Sequence, residues 1–128
     1  MNRVKKYLGI DWGEKRIGLA LGDNETKLAL PFATVSNIRD LMRIIIEEEI
    51  DELVLGDPQK MNGGKSNNPA WLMFKEYLEK NIKKEIHLID ERLSSLGADS
   101  LEGKKSDKAG RDEIAASIIL QNYLDLLT

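Results

Sequence analysis

The chain has 128 residues, 41% hydrophobic and 32% charged, with a formal net charge of -3. One domain around one sizeable core is the expectation, and two nucleotide-binding halves do not fit in this length. With no cysteine and a single histidine, His87, thiolate, Cys-zinc and Ser-His-Asp chemistries are disfavoured, and any catalysis falls to carboxylates, which at neutral pH point to a hard metal ion.

The apolar part of MNRVKKYLGI is too short for a signal segment and is interrupted by Asp11. No run approaches the ~20 apolar residues of a membrane span. The expectation is a cytoplasmic chain with no membrane partner. Mild acidity argues against bulk nucleic-acid binding and leaves room for a local basic patch.

Tyr7 to Ile10 is a short apolar run followed by Gly13, which suits a buried strand that ends on Asp11. Arg16 to Gly22 alternates, with Ile17, Leu19 and Leu21 on one face and Gly18, Ala20 and Gly22 on the other. An all-small face calls for an element packed closely against it, or a backbone passing near. Asp23-Asn24 marks a turn. Leu28 to Val35 is a third strand, and Pro31 inside it predicts an edge position. Ser36-Asn37 caps a helix with Asp40 in its first turn and Ile38, Leu41, Met42 and Ile45 along its stripe. Glu47 to Glu49 end it on a solvated face.

Leu53 to Gly56 is a short buried strand ending in Asp57-Pro58, and QKMNGGKSNN is a loop by its Gly and Asn content. Asn68-Pro69 supplies a cap and a first-turn proline for a helix striped by Phe74, Tyr77, Leu78 and Ile82. Trp71 and Met73 extend that stripe or face a partner. Ile86 to Ile89 is a fifth strand ending in Asp90-Glu91-Arg92. Alternation turns Ile86 and Leu88 toward the core and His87 away from it. Ser94 or Ser95 caps a short helix stopped by Gly103, and KKSDKAGRD is a polar, basic loop. From Asp112 onward, Ile114, Ala115, Ile118, Ile119, Tyr123 and Leu127 predict a long amphipathic helix.

The order βββαβαβ, followed by a minor and a final helix, predicts an α/β fold. Its sheet is mixed: an antiparallel meander, then two crossovers that make strands one, four and five parallel. Ligands bind at the carboxyl edge of such strands. Asp11, Asp57, Asp90 and Glu91 all fall on that edge, and a final helix crossing the sheet would add Asp112. Converging acids repel one another unless a cation sits between them. Two Mg²⁺ or Mn²⁺ ions ~3.5–4 Å apart would use such a cluster to activate water and stabilise a leaving phosphodiester oxygen. Plainer roles stand beside these. Asp112 is placed to cap its helix, Asp57 to start an Asp-Pro turn, and Asp90 and Glu91 to pair with Arg92. The loops near this edge also carry Lys15, Arg16, Lys60, Lys65, Arg92, Lys104, Lys105, Lys108 and Arg111. A basic rim around an acidic pocket suits a nuclease, although loops are commonly charged.

Four stretches resemble one family in order and spacing: GIDWGEKRIGLALGD, LVLGDPQKMNGG, DERLSS and RDEIAASIILQNYLD. They are similar to the opening hairpin, the glycine-bearing strand and loop, the DER motif and the closing helix of the YqgF/RuvX family. Its members are described as pre-16S rRNA nucleases and as Holliday-junction-resolvase-like proteins. The resemblance runs nearly end to end. It implies a single RNase H-like domain over 1–128, with a five-stranded mixed sheet in the order 3-2-1-4-5 flanked by helices. It implies a divalent-metal nuclease using Mg²⁺ or Mn²⁺, with Asp11, Glu91 and Asp112 as catalytic and metal-binding acids. Lys15 and Arg16 fall on its basic pair and Arg92 on its motif arginine. With Lys104, Lys105, Lys108 and Arg111, these are the expected nucleic-acid contacts.

The family more often has an apolar residue where this chain has Asp57. Strand four lies next to strand one in that order, about 4.8 Å away, so Asp57 is either an extra ligand or a carboxylate turned outward in its turn. The leading expectation is an endonuclease on structured RNA, acting in 5′-end maturation of pre-16S rRNA on ribosomal precursor particles. Its first alternative is a branched-DNA resolvase, which needs a symmetric dimer; monomer and homodimer both stay open. A second alternative is a nucleic-acid-binding factor without turnover. The sugar kinase and actin group also opens with Gly-Ile-Asp-x-Gly, but needs two such domains.

Overall fold

The structure is a computed structural model that describes residues 3–58, 68–90 and 108–127. The loop expected after Pro58 and the short helix expected after Ser94 or Ser95 lie outside the described residues. The strands are β1 (Lys6–Trp12), β2 (Ile17–Asp23), β3 (Ala29–Val35), β4 (Glu52–Asp57) and β5 (Ile86–Asp90); the helices are α1 (Ile38–Glu47), α2 (Pro69–Asn81) and α3 (Lys108–Asp125). They form one sheet in the order β3-β2-β1-β4-β5. β1 to β3 are antiparallel neighbours, while β4 runs parallel to both β1 and β5. This is the mixed sheet expected from the element order.

Alternation along β1 and β4 feeds two cores, one on each side of the sheet. Leu8, Ile10, Leu53 and Leu55 pack with Leu41, Ile44 and Ile45 of α1 and with Trp71, Phe74 and Leu78 of α2. Tyr7, Ala20 and Val54 pack with Ala116, Ile119, Leu120 and Leu124 of α3. The caps expected for α1 and α2 are present. Asn37 accepts from the Asp40 N–H at 2.8 Å, and Asn68 accepts from the N–H groups of Ala70 and Trp71.

Three expectations shift. α3 starts at Lys108 rather than Asp112, so Asp112 lies one turn inside the helix and does not cap it. Its buried face is Ala116, Ile119, Leu120 and Leu124, whereas Ile114, Ala115 and Ile118 are half-buried. A helix apolar on most of its circumference has a weak preferred side, and the sheet selects it. Tyr77 and Leu88 are exposed rather than core-facing; Leu88 lies on an edge strand, where helix cover is thinnest. Pro31 does sit on an edge strand, and the β2–β3 register shifts between Leu19 and Ala20, whose next partner is Pro31.

At the opposite end of the sheet from Asp11, buried Glu52 accepts from Lys5 Nζ at 2.9 Å and lies 2.7 Å from His87 Nε2. The His87 ring stacks on Tyr123 of α3. His87 therefore ties an edge strand to a helix rather than facing solvent. Burial pushes the Glu52 carboxyl up, but hydrogen bonds from Lys5 and His87 outweigh it and hold the group below its ordinary 4.5. The Lys6 N–H bond to Asp51, reinforced by Arg3, holds Asp51 below its ordinary 3.8 despite some desolvation. A depressed carboxylate stabilises the fold fully above its unfolded value and loses that contribution as pH falls through the folded value. The melting temperature should therefore hold from pH 7 to about 5 and decline below about 4. A flat profile down to pH 3 in a thermal-melt series would contradict this.

Candidate active site

Asp11 is the penultimate residue of β1 and pairs across the ladder with Gly18 of β2, which pairs in turn with Thr34 of β3. Tyr7 packs in the α3-side core, and Gly9 lies against Ala116 and Leu120 of α3. Alternation therefore places half-buried Asp11 on the α3 face. α3 lies over β1, β2 and β3 on that face, and it comes close to the backbone at Gly18. A β-carbon there would overlap the Asp112 carbonyl and come within 2.9 Å of the Asp112 Cβ. The small face of β2 is the seat of a helix, as its Gly-Ala-Gly pattern requires. That seat brings Asp112 from near the end of the chain to the strand position beside Asp11.

Side-chain bonds from the residue before β2 and from β3 reach the first turns of α3. Arg16 Nε donates to Asp112 Oδ2 at 2.7 Å, and Thr34 Oγ1 donates to Glu113 Oε2 at 3.1 Å. Arg16 leads into β2 and Thr34 is the cross-strand partner of Gly18, so one row across three strands positions two consecutive acids. Glu113 and Thr34 are site neighbours that sequence reasoning passed over. The Asp112-Glu113 doublet was the available signal, but the position of Thr34 depends on strand register.

Lys15 is exposed at the β1–β2 hairpin and Arg111 is exposed on α3. Lys108 begins α3. Glu91, Arg92, Lys104 and Lys105 lie outside the described residues, as do Lys60 and Lys65; Asp90 ends β5. Asp57 is 7% exposed, so its carboxylate does not turn out to solvent as the Asp-Pro reading had it. It shares strand parity with Leu53 and Leu55, which face α1 and α2. The backbone therefore directs it away from the α3 face, where Asp11 lies. Adjacency of β4 to β1 does not by itself make Asp57 a partner of Asp11.

Asp11 and Asp112 offer hard oxygen donors from separate elements, the donor type that Mg²⁺ and Mn²⁺ take. The glycine seat that fixes Asp112 and the guanidinium already on its carboxylate both fit a place made for positive charge. Among the described residues no three His, Cys, Asp or Glu side chains converge tightly enough to hold an ion.

A family model described as Holliday junction resolvase matches residues 5–126. Relatives named "Putative pre-16S rRNA nuclease" include one from Chloroflexus aggregans, 33% identical over 130 residues and covering 92% of each chain. Another, from Mycoplasma mobile, is 35% identical over 132 residues, covering 94% of this chain and 92% of the relative. A third, from Chlamydia pneumoniae, is 36% identical over 138 residues, covering 96% and 91%. Among solved structures, a Fowlpox virus resolvase bound to Holliday junction DNA superposes with a TM-score of 0.59 at 14% identity, covering 96% of this chain and 99% of the other. RuvC from T. thermophilus in complex with a Holliday junction substrate superposes at 0.57 with 11% identity, covering 97% of each. At those identities the likeness speaks for a shared RNase H-like fold. The family match and the one-third identity both span nearly the whole chain, and on those grounds this protein belongs to the RuvX family.

Proposed function

We propose that this protein is a divalent-metal-dependent endonuclease that hydrolyses phosphodiesters of structured RNA in 5′-end maturation of pre-16S rRNA. One domain spanning 1–128 carries the activity, acting in the cytoplasm on ribosomal precursor particles. The observation that carries the reading is the contact of Asp112 with Gly18, the cross-strand partner of Asp11. It supports a two-carboxylate site on the edge where the family resemblance expects its acids. The names of the curated relatives support the substrate.

Asp11 and Asp112 would hold the ion, with Glu91 as the third ligand that the family resemblance implies. Bound Mg²⁺ or Mn²⁺ supplies a Lewis acid for the phosphoryl oxygens and lowers the pKa of attacking water. The β1–β2 ladder fixes the backbone of Asp11 and the glycine seat fixes that of Asp112. Lys15, Arg16, Arg92, Lys104, Lys105, Lys108 and Arg111 hold phosphates on the flanks. Among the described residues no helix is long and apolar enough to cross a membrane.

The second reading is a branched-DNA resolvase, favoured by the fold shared with resolvases solved on Holliday junctions. A labelled pre-16S leader hairpin and a four-way DNA junction, each incubated in Mn²⁺ and in EDTA, separate the readings. RNA cleavage in Mn²⁺ that disappears in EDTA is the expected result. Cleavage of the junction alone, by a dimeric protein, moves the substrate to branched DNA. Undiminished RNA binding in EDTA with no cleavage in either Mg²⁺ or Mn²⁺ replaces the enzyme by a binding factor.

A further inference from the structure

We propose that Arg16 is a positioning residue that stands in for the cation at Asp112, so that a divalent ion and the Arg16 guanidinium compete for that carboxylate. The inference rests on the nuclease reading above, since it takes Asp112 as a metal ligand.

The Arg16–Asp112 bond at 2.7 Å is a charge-assisted hydrogen bond between side chains 39% and 24% exposed. The carboxylate is therefore in contact with solvent. The Arg16 backbone is pinned, because its carbonyl accepts from the Gly13 N–H at 2.9 Å and closes the hairpin. The long side chain beyond that anchor can turn. A guanidinium on Asp112 offsets repulsion between that helix carboxylate and the acid at the end of β1. An arriving divalent ion places like charge beside the guanidinium, so each cation weakens the hold of the other on Asp112. A displaced Arg16 lies next to Lys15 at the hairpin with a planar fork suited to phosphate. Metal loading and grip on the nucleic-acid backbone are then coupled through one side chain.

The test is Mn²⁺ binding by the full chain without nucleic acid, followed by the electron paramagnetic resonance signal of free Mn²⁺, with circular dichroism to check folding. Arg16→Gln should tighten Mn²⁺ binding about fivefold, the scale of a part-exposed ion pair. Lys15→Gln, which removes the same charge one residue away, should tighten it clearly less. In an Asp112→Asn background, Arg16→Gln should give no gain. A merely structural Arg16 would give weaker binding on removal. The proposal is overturned if Arg16→Gln binds Mn²⁺ no more tightly than the wild type, if Lys15→Gln gives an equal gain, or if neither wild type nor Arg16→Gln binds measurably. Should Arg16→Gln not fold, Arg16→Lys keeps the charge and removes the Nε donor. A smaller tightening then supports the competition, and none overturns it. The nuclease reading fails separately, in the cleavage assay: tightened Mn²⁺ binding by Arg16→Gln with no cleavage by the wild type keeps the competition and removes the enzyme.

Discussion

Replacing Gly18 with alanine is expected to lower the melting temperature by about 10 °C or more and to abolish cleavage in the same step. The added methyl has no room: it would overlap the Asp112 carbonyl and approach the Asp112 Cβ to 2.9 Å. The obstruction is mostly helix backbone, which cannot rotate away as a side chain tip would. Overpacking of this kind costs about 3 kcal/mol, which in a domain of this size corresponds to that fall in melting temperature. The helix it displaces carries Asp112, which the proposed function makes a metal ligand, so on that reading stability and cleavage fall together. Gly18 does not occupy the left-handed backbone region; the demand is for space alone. A Gly18→Ala protein that melts within 2–3 °C of wild type would show that α3 does not seat on this glycine.

Asp11→Asn is expected to reduce cleavage of the cognate substrate at least about a hundredfold while leaving the melting temperature within a few degrees of wild type. Loss of an outer-shell partner of a metal ligand already costs ten- to a hundredfold, and loss of a ligand charge should cost no less. Asparagine keeps the volume of aspartate and one of its acceptor oxygens in a half-buried position, so packing against β2 and α3 is preserved. The two substitutions are complementary. Gly18→Ala removes the site through the fold, and Asp11→Asn removes its charge and spares the fold. Equal cleavage by wild type and Asp11→Asn would assign the activity to a contaminant or to another site.

The element order, the edge position of β3 and both described helix caps were legible because they depend on local chemistry, whereas the strand order 3-2-1-4-5 came from the family resemblance. Asn37 and Asn68 are good caps wherever they occur, Pro31 is tolerated on an edge strand, and a βββαβαβ order leaves few sheets to choose among. The small face of β2 was legible too, as a requirement for close packing. The start of α3 was not, because KKSDKAGRD has too little periodicity to show a helix running from Lys108. Nor was the fate of Asp57, since an Asp-Pro pair at a strand end reads as a turn whether its carboxylate is solvated or buried.

By itself, the sequence determined that this chain builds a mixed α/β sheet and places an acid at the end of its first strand, since alternation, caps and turn residues act over a few positions. The tertiary structure decided what lies beside the strand position next to that acid. The Asp112 backbone packs on Gly18, the cross-strand partner of Asp11, only because Gly18 lacks a β-carbon, and Arg16 finds Asp112 only because α3 crosses β2 there. Asp57 turns to the other side because a strand alternates its faces from one fixed register. These are relations between residues far apart in the chain, set by helix docking and strand register rather than by local propensity.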